Sequence, residues 1–155
     1  MPETGKVLGI DYGDANIGIA VSDINQEISF PKFTIKNITL EDVILQIGNL
    51  CEELNIVEVV VGIPVSMSGE SSKQTEKTQN FVNNLKKSLK IPVFLQDERL
   101  TTREGHVILA SLNAKGTKEK RIKDVIAASL ILKNYLELKR NKGKRGKQGE
   151  LLYNK

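Results

Sequence analysis

The compact, β-branched run Val57–Val61 lies between two stretches with helical spacing, and this arrangement constrains the fold more than any other feature of the chain. On its amino side, apolar residues recur at 43, 44, 47, 50, 51 and 54 behind Thr39 and Asp42, the pattern of an amphipathic helix with its start signal. On its carboxyl side, after a Pro64–Lys73 loop, Phe81, Val82, Leu85 and Leu89 mark a second helix, and Val93–Leu95 is a further strand. Strands that alternate with helices pair in parallel through right-handed crossovers.

The first third of the chain has a different rhythm. Val7–Ile10, Ile17–Val21 (broken by Gly18) and Ile28–Ile35 are short extended runs separated by turn chemistry such as Asp11-Tyr12-Gly13-Asp14. They predict a three-strand antiparallel meander. Pro31 marks the third run as an edge strand or a bulged one. Beyond Leu95, Thr101-x-x-Glu104 is a capping box that opens a third helix, with Val107, Ile108 and Leu112 facing inward. A polar loop, Asn113–Lys120, leads to a last helix from about Arg121 to Lys139, whose expected core face is Ile122, Val125, Ile126, Ser129, Leu132 and Leu136. The expected class is α/β: a mixed five-stranded sheet, three antiparallel strands and then parallel ones, flanked by helices.

At 155 residues this is one domain with enough chain for a core of its own. No unbroken apolar run exceeds four residues (Val107–Ala110 and Val125–Ala128), far short of the roughly 20 residues of a membrane span. Met1–Lys6 has no apolar signal region. A single cysteine, Cys51, makes no internal disulfide and sits in the first helical pattern as a small core residue. A cytoplasmic location is expected.

Charge divides the chain unevenly. From Lys139 onward there are seven lysines and arginines against one acid, Glu150, a net +6; the chain's total of +4 therefore leaves −2 for the body before it. The division predicts a folded domain over 1–138 and a basic, disordered tail over 139–155. Such a tail serves either as a solvated solubility segment or as a source of sequence-blind phosphate contacts.

The acids fall at particular places. Asp11 closes the first strand, Asp97 and Glu98 close the last, and Asp124 lies in the first turn of the expected final helix. In α/β sheets ligands gather at the carboxyl ends of parallel strands. Carboxylates brought together there repel unless a cation joins them, and oxygen-only ligands at a partly open site suit Mg²⁺ or Mn²⁺. Paired divalent ions of this kind activate water against a phosphodiester. Spacing alone leaves a structural reading open, because acids at strand ends and helix starts are common and Asp124 would gain from the helix dipole.

Local words go further. Gly9-Ile10-Asp11-Tyr12-Gly13 with Ile17–Asp23, Val61-Gly62-Ile63-Pro64 with Ser68-Gly69-Glu70, Asp97-Glu98-Arg99-Leu100-Thr101-Thr102, and Lys123–Ala128 ahead of Ile131–Leu136 follow one another in this order. Together they resemble the YqgF (RuvX) family over roughly residues 6–138. The resemblance implies an RNase H-like fold and a bacterial, cytoplasmic nuclease assigned to maturing the 5′ end of pre-16S rRNA. It implies catalytic, metal-holding carboxylates Asp11, Glu98 and Asp124, with Asp97 as a helper. Two departures stand out: Ala15-Asn16 replaces a frequent Lys-Arg pair beside the substrate phosphates, and Gln96 replaces the usual aromatic before Asp-Glu.

Other residues carry two readings each. Arg99 either forks onto a phosphate or braces its loop by pairing with Asp97 or Glu104. Gly13 and Gly18 either let backbone approach the substrate or serve turn and bulge geometry. Thr101 is a helix cap first and a substrate contact second; His106 is a surface residue. The loop Ser66–Lys73 and the Asn113–Lys120 region could each cover a nucleic-acid strand. Lys115, Lys118, Lys120, Arg121 and Lys123 favour the latter. Scarce aromatics point to backbone rather than base recognition.

The partner expected is nucleic acid, RNA before branched DNA, with ribosomal precursor particles as its context, no membrane, and a monomer or weak homodimer. Two alternatives stand beside RNA hydrolysis: a Holliday junction resolvase, and a non-catalytic RNA-binding scaffold. Resolvases of the RuvC type place a glutamate at the end of the fourth strand, where this chain has Gly62-Ile63-Pro64. Gly9–Gly13 also resembles the phosphate loops of actin-like ATPases and sugar kinases, but those need two such lobes.

Overall fold

The computed structural model describes residues 4–64, 72–97 and 116–153. Five strands form one sheet: β1 (Lys6–Tyr12), β2 (Asn16–Ser22), β3 (Ser29–Lys36), β4 (Ile56–Ile63) and β5 (Val93–Asp97), in the order β3-β2-β1-β4-β5. β1 pairs antiparallel with β2 and β2 with β3, while β4 runs parallel to both β1 and β5. The meander and the parallel half are those expected. β3 is an edge strand, and its pairing shifts between Ile19 and Ala20, so Pro31 sits beside a bulge on an edge.

Helices cover both faces. α1 (Leu40–Glu53) starts where the Thr39 side chain accepts a hydrogen bond from the Asp42 backbone N–H, and α2 (Lys73–Ser88) where Ser72 does the same for Thr75. Against their face of the sheet lies the larger core, including Leu8, Ile10, Ile17, Ile19, Val59, Val61, Val43, Ile47, Phe81 and Leu85. Cys51 is buried there, and burial pushes its thiol up to about 11. α3 (Thr117–Tyr153) covers the opposite face with Ala128, Ile131, Leu132 and Leu136 against Val7, Ala20 and Val60. Among the described residues, no helix is long and apolar enough to cross a membrane.

α3 departs from its expected form in three ways. It begins at Thr117, inside the segment read as a polar loop, so Asp124 lies beyond the first turn, where the helix dipole gives it little. Its buried face is rotated: Ala128 and Ile131 are buried, whereas Ile122, expected in the core, is 45% exposed. The cause lies in the sheet. A side-chain carbon on Gly9 would sit 2.7 Å from Leu132 Cβ, and one on Gly18 would sit 2.1 Å from the Asp124 carbonyl oxygen. Two bare glycines let the 124–128–132 stripe lie directly on β1 and β2.

The third departure is at the carboxyl end, where the backbone stays helical through Tyr153 rather than stopping near Lys139. Extending a formed helix avoids the cost of nucleation, which offsets the penalties of Gly143, Gly146 and Gly149. Lys139 and Arg140, assigned to the tail by charge, are docked. The Lys139 ammonium pairs with the Glu58 carboxylate and donates to Gln26 Oε1 at 2.8 Å, and Arg140 donates to the Glu27 carbonyl at 3.2 Å.

Candidate functional site

The site is built where β1 ends. Strand register pairs Asp11 with Gly18 on β2 and with Gly62 on β4, and Gly62 in turn with Gln96 on β5. Side chains alternate along a strand. Val7 and Gly9 of β1, Ala20 of β2 and Val60 of β4 face α3, so Asp11, Gly18, Gly62 and Gln96 share that face. Asp124 reaches the same place from above, since its backbone carbonyl rests on Gly18, the direct cross-strand partner of Asp11. Two acids 113 positions apart are thereby brought to neighbouring positions by a glycine too small to keep the helix off.

Asp97 ends β5 as expected, but it pairs with Ile63, one step past Gln96 and Gly62. Alternation therefore sends it to the α1–α2 face. Glu98, Arg99 and Thr101, together with His106, lie outside the described residues. Among the described residues, no group of three histidines, cysteines or acids converges to hold a metal. Asp11 and Asp124 are the two expected ligands that the structure brings together.

Burial pushes the Asp124 carboxyl above its ordinary value, and the adjacent Lys123 ammonium pulls it partly back. A carboxylate poorly solvated in this way favours a cation beside it. Asp124, Lys120 and Lys123 line a cleft of about 410 Å³ whose other wall is the β1–β2 turn, Gly13 to Asn16. Lysines thus stand across the cleft from Ala15-Asn16. Lys120, expected on a loop over the nucleic-acid strand, instead lies on the helix.

The turn is held firmly. Asn37 donates its side-chain amide to the Gly13 carbonyl at 2.8 Å and its backbone N–H to the Ala15 carbonyl at 3.0 Å. From α2, Gln74 donates to the Tyr12 carbonyl at 3.3 Å, Lys77 pairs with Asp14 at 3.2 Å, and Phe81 stacks on Tyr12 with ring centroids 4.4 Å apart. A side-chain carbon at Gly13 would lie 2.6 Å from the Asn16 carbonyl, so Gly13 is a turn residue. Gly18 is a helix-packing residue. Asn37 and Gln74 were invisible to motif reading, because amides far apart in sequence carry no local signal.

Midway along α3 lies a second polar cluster. Glu58, buried in β4, accepts a hydrogen bond from the Tyr135 hydroxyl at 3.1 Å as well as pairing with Lys139. Burial and the Glu58 charge push the tyrosine hydroxyl upward. Phe94 of β5 stacks on Tyr135 with centroids 6.0 Å apart.

Comparison with known proteins follows this geometry. The profile of the RuvX family, described as Holliday junction resolvase, matches residues 5–138. A Chloroflexus aggregans protein named "Putative pre-16S rRNA nuclease" is 41% identical over 135 residues, covering 87% of this chain and 95% of its own. One of the same name from Rickettsia conorii is 36% identical over 135 residues, covering 87% and 88%. Among solved structures, Thermus thermophilus RuvC in complex with a Holliday junction substrate superposes with a TM-score of 0.58 at 15% identity, over 86% of this chain and 96% of that one. That likeness extends to the fold, an RNase H-like α/β sheet.

Proposed function

The chain belongs to the RuvX family, and on that premise we propose that it is a divalent-metal-dependent nuclease hydrolysing RNA phosphodiester bonds, with 5′-end maturation of pre-16S rRNA as its task. The family names supply the substrate. The observation that carries the chemistry is the seating of Asp124 on Gly18 beside Asp11. Asp11, Asp124 and Glu98 would hold Mg²⁺ or Mn²⁺, and the half-buried Asp124 carboxyl with its raised pKa suits that role. Such a metal, when bound, supplies water activation and neutralises charge on the phosphate.

The chain's own groups do the rest. Lys120 and Lys123 hold the substrate backbone in the cleft, in place of the basic pair absent at Ala15-Asn16. The braced β1–β2 turn, with Asn16 on its cleft side, keeps the wall of that cleft in position. Arg99 and Thr101 are proposed as further substrate contacts, and Asp97 as a support for its neighbour Glu98 rather than a ligand on the Asp11 face.

Resolution of Holliday junctions is the second reading, favoured by the family's description and by the RuvC fold. The β4 position level with Asp11 is Gly62, with Ile63 and Pro64 after it, so β4 contributes no carboxylate there. RNA is therefore preferred. The test is cleavage of a labelled pre-16S 5′-leader RNA with Mg²⁺ or Mn²⁺ by wild type, Asp11→Asn and Glu98→Gln. Metal-dependent cutting lost in both variants is expected. Cutting confined to four-way DNA junctions selects the second reading. Binding without cutting, equal in wild type and variants, makes the chain a scaffold and overturns the proposal.

A further inference from the structure

The first turns of α3 carry four cations, Lys118, Lys120, Arg121 and Lys123, and they separate into two i, i+3 pairs on opposite flanks of the helix. Lys120 and Lys123 face the Asp124 cleft. Lys118 and Arg121 face a different groove, of about 480 Å³, between α3 and the edge strand β3. Its β3 wall contributes a third cation, Lys32, and the hydroxyl of Thr34.

Lys32 is the residue left without a β2 partner where the register shifts, since Ala20 pairs with Pro31 and Ile19 with Phe33. Bulges of this kind re-aim a side chain. Its ammonium lies 5.7 Å from the centre of the Phe30 ring, a contact that steadies the group without cancelling its charge. No acid lines the groove among the described residues.

The groove also has apolar surface that the core does not use. Ile122 stays 45% exposed within it, beside Val125. Three like charges around an apolar strip repel one another until an anion enters, and a small hydrated anion gains nothing from the strip. The ligand that matches both features is a polyanion with flat apolar faces, which describes unpaired nucleotides. A duplex keeps those faces stacked inside and would meet the strip with phosphate only.

We infer that the β3–α3 groove holds an unpaired stretch of the same nucleic-acid strand whose cleaved bond lies in the Asp124 cleft, on the far flank of α3. This rests on the nuclease reading for the second half of the statement only. Phosphates meet Lys32, Lys118 and Arg121, and base faces lie on Ile122 and Val125. The site deepens substrate recognition by requiring a single-stranded segment beside the scissile one.

The test is fluorescence anisotropy of the full chain with a labelled single-stranded oligoribonucleotide of about 12 nucleotides. EDTA is present, so that binding is read without cutting. Salt titration of wild type is compared with Lys32→Gln/Arg121→Gln and with Lys86→Gln/Lys87→Gln, which removes the same charge from the last turn of α2. All of these side chains are exposed, so the folds should survive; thermal melts verify it.

The expected result is a salt slope shallower by about 1.4 in the groove variant, two lost phosphate contacts on a single strand, and unchanged in the α2 variant. Ile122→Ala, which removes apolar surface without adding charge, should weaken binding to the single strand on the order of ten-fold and leave binding to a blunt duplex unchanged. Failure of the wild type to bind single strands overturns the inference. So does an equal slope in all three proteins, or a loss with the duplex as large as with the single strand. A chain that cuts RNA while its groove variants bind normally keeps the nuclease reading and loses this one. A chain that never cuts but shows the slope change does the reverse.

Discussion

The amino end of α3 and its middle treat charge in opposite ways. Near its carboxyl half, Lys139, Tyr135 and Glu58 satisfy one another, and Gln26 takes a further lysine hydrogen bond. Near its amino end, four cations and Asp124 stand around two open grooves, and burial holds the Asp124 pKa above its ordinary value. One helix thus carries an anchor whose polar groups are matched within the protein and an amino end whose charged groups line open grooves among the described residues. Cations close to a helix amino end also oppose its dipole, at roughly 0.3–1 kcal/mol each. Stability is concentrated at the anchor and given up at the site.

The sharpest way to break this division is Gly18→Ala. A methyl group there would strike the α3 backbone at Asp124, so the helix must lift from β2 even though alanine suits a strand better than glycine. A loss of about 1–3 kcal/mol in urea denaturation is expected, with cleavage abolished. Stability and activity retained together would show that Asp124 is not held by this contact.

At the anchor, Glu58→Ala leaves the Lys139 ammonium and the Tyr135 hydroxyl without their shared acceptor. Lys139 is partly exposed and can turn to water, so a cost of about 2 kcal/mol is expected in the same denaturation experiment. Glu58→Gln, which keeps the tyrosine hydrogen bond, should lose less.

Asp124→Asn should behave in the reverse sense, abolishing cleavage while raising the melting temperature in EDTA at neutral pH. The sign follows from the raised pKa. The folded state holds the proton more tightly than the unfolded chain, so wild type loses stability as pH rises through the carboxyl range. Below about pH 4 the two proteins should therefore melt together. An asparagine variant less stable than wild type at pH 7 would mean that Asp124 already has its partner inside the protein. The smallest effect belongs to Arg140→Ala, which removes one exposed hydrogen bond to the Glu27 carbonyl; a change within about 0.5 kcal/mol separates the edge of the anchor from its centre.

Much of this was legible beforehand. The period-two runs and the helix–strand alternation determined all five strands, their directions and the class of the fold. α3 was misread for identifiable reasons. Its polar first turn matches a loop as well as a helix in composition, and its inward face was sought among the largest apolar residues. The better guide was smallness: Gly9, Gly18, Ala20 and Ala128 together require close contact of helix and sheet. Asp11 was found because it ends a strand, and Asp124 because its local word was specific. The Glu58 cluster was missed although a lone acid in a valine run was visible; its partners lie 77 and 81 residues away, beyond any local pattern.

The anchor has one more consequence. Asp124 and Lys139 stand fifteen residues apart on a single helix, a rigid arm of about 22 Å. Pivoting such an arm at Lys139 by about 3° swings its far end through roughly 1 Å, the size of misplacement that costs on the order of 100-fold in rate when reacting groups must meet. Glu58 therefore acts as a set-screw for a carboxylate it never approaches, and its loss should register in turnover as well as in unfolding.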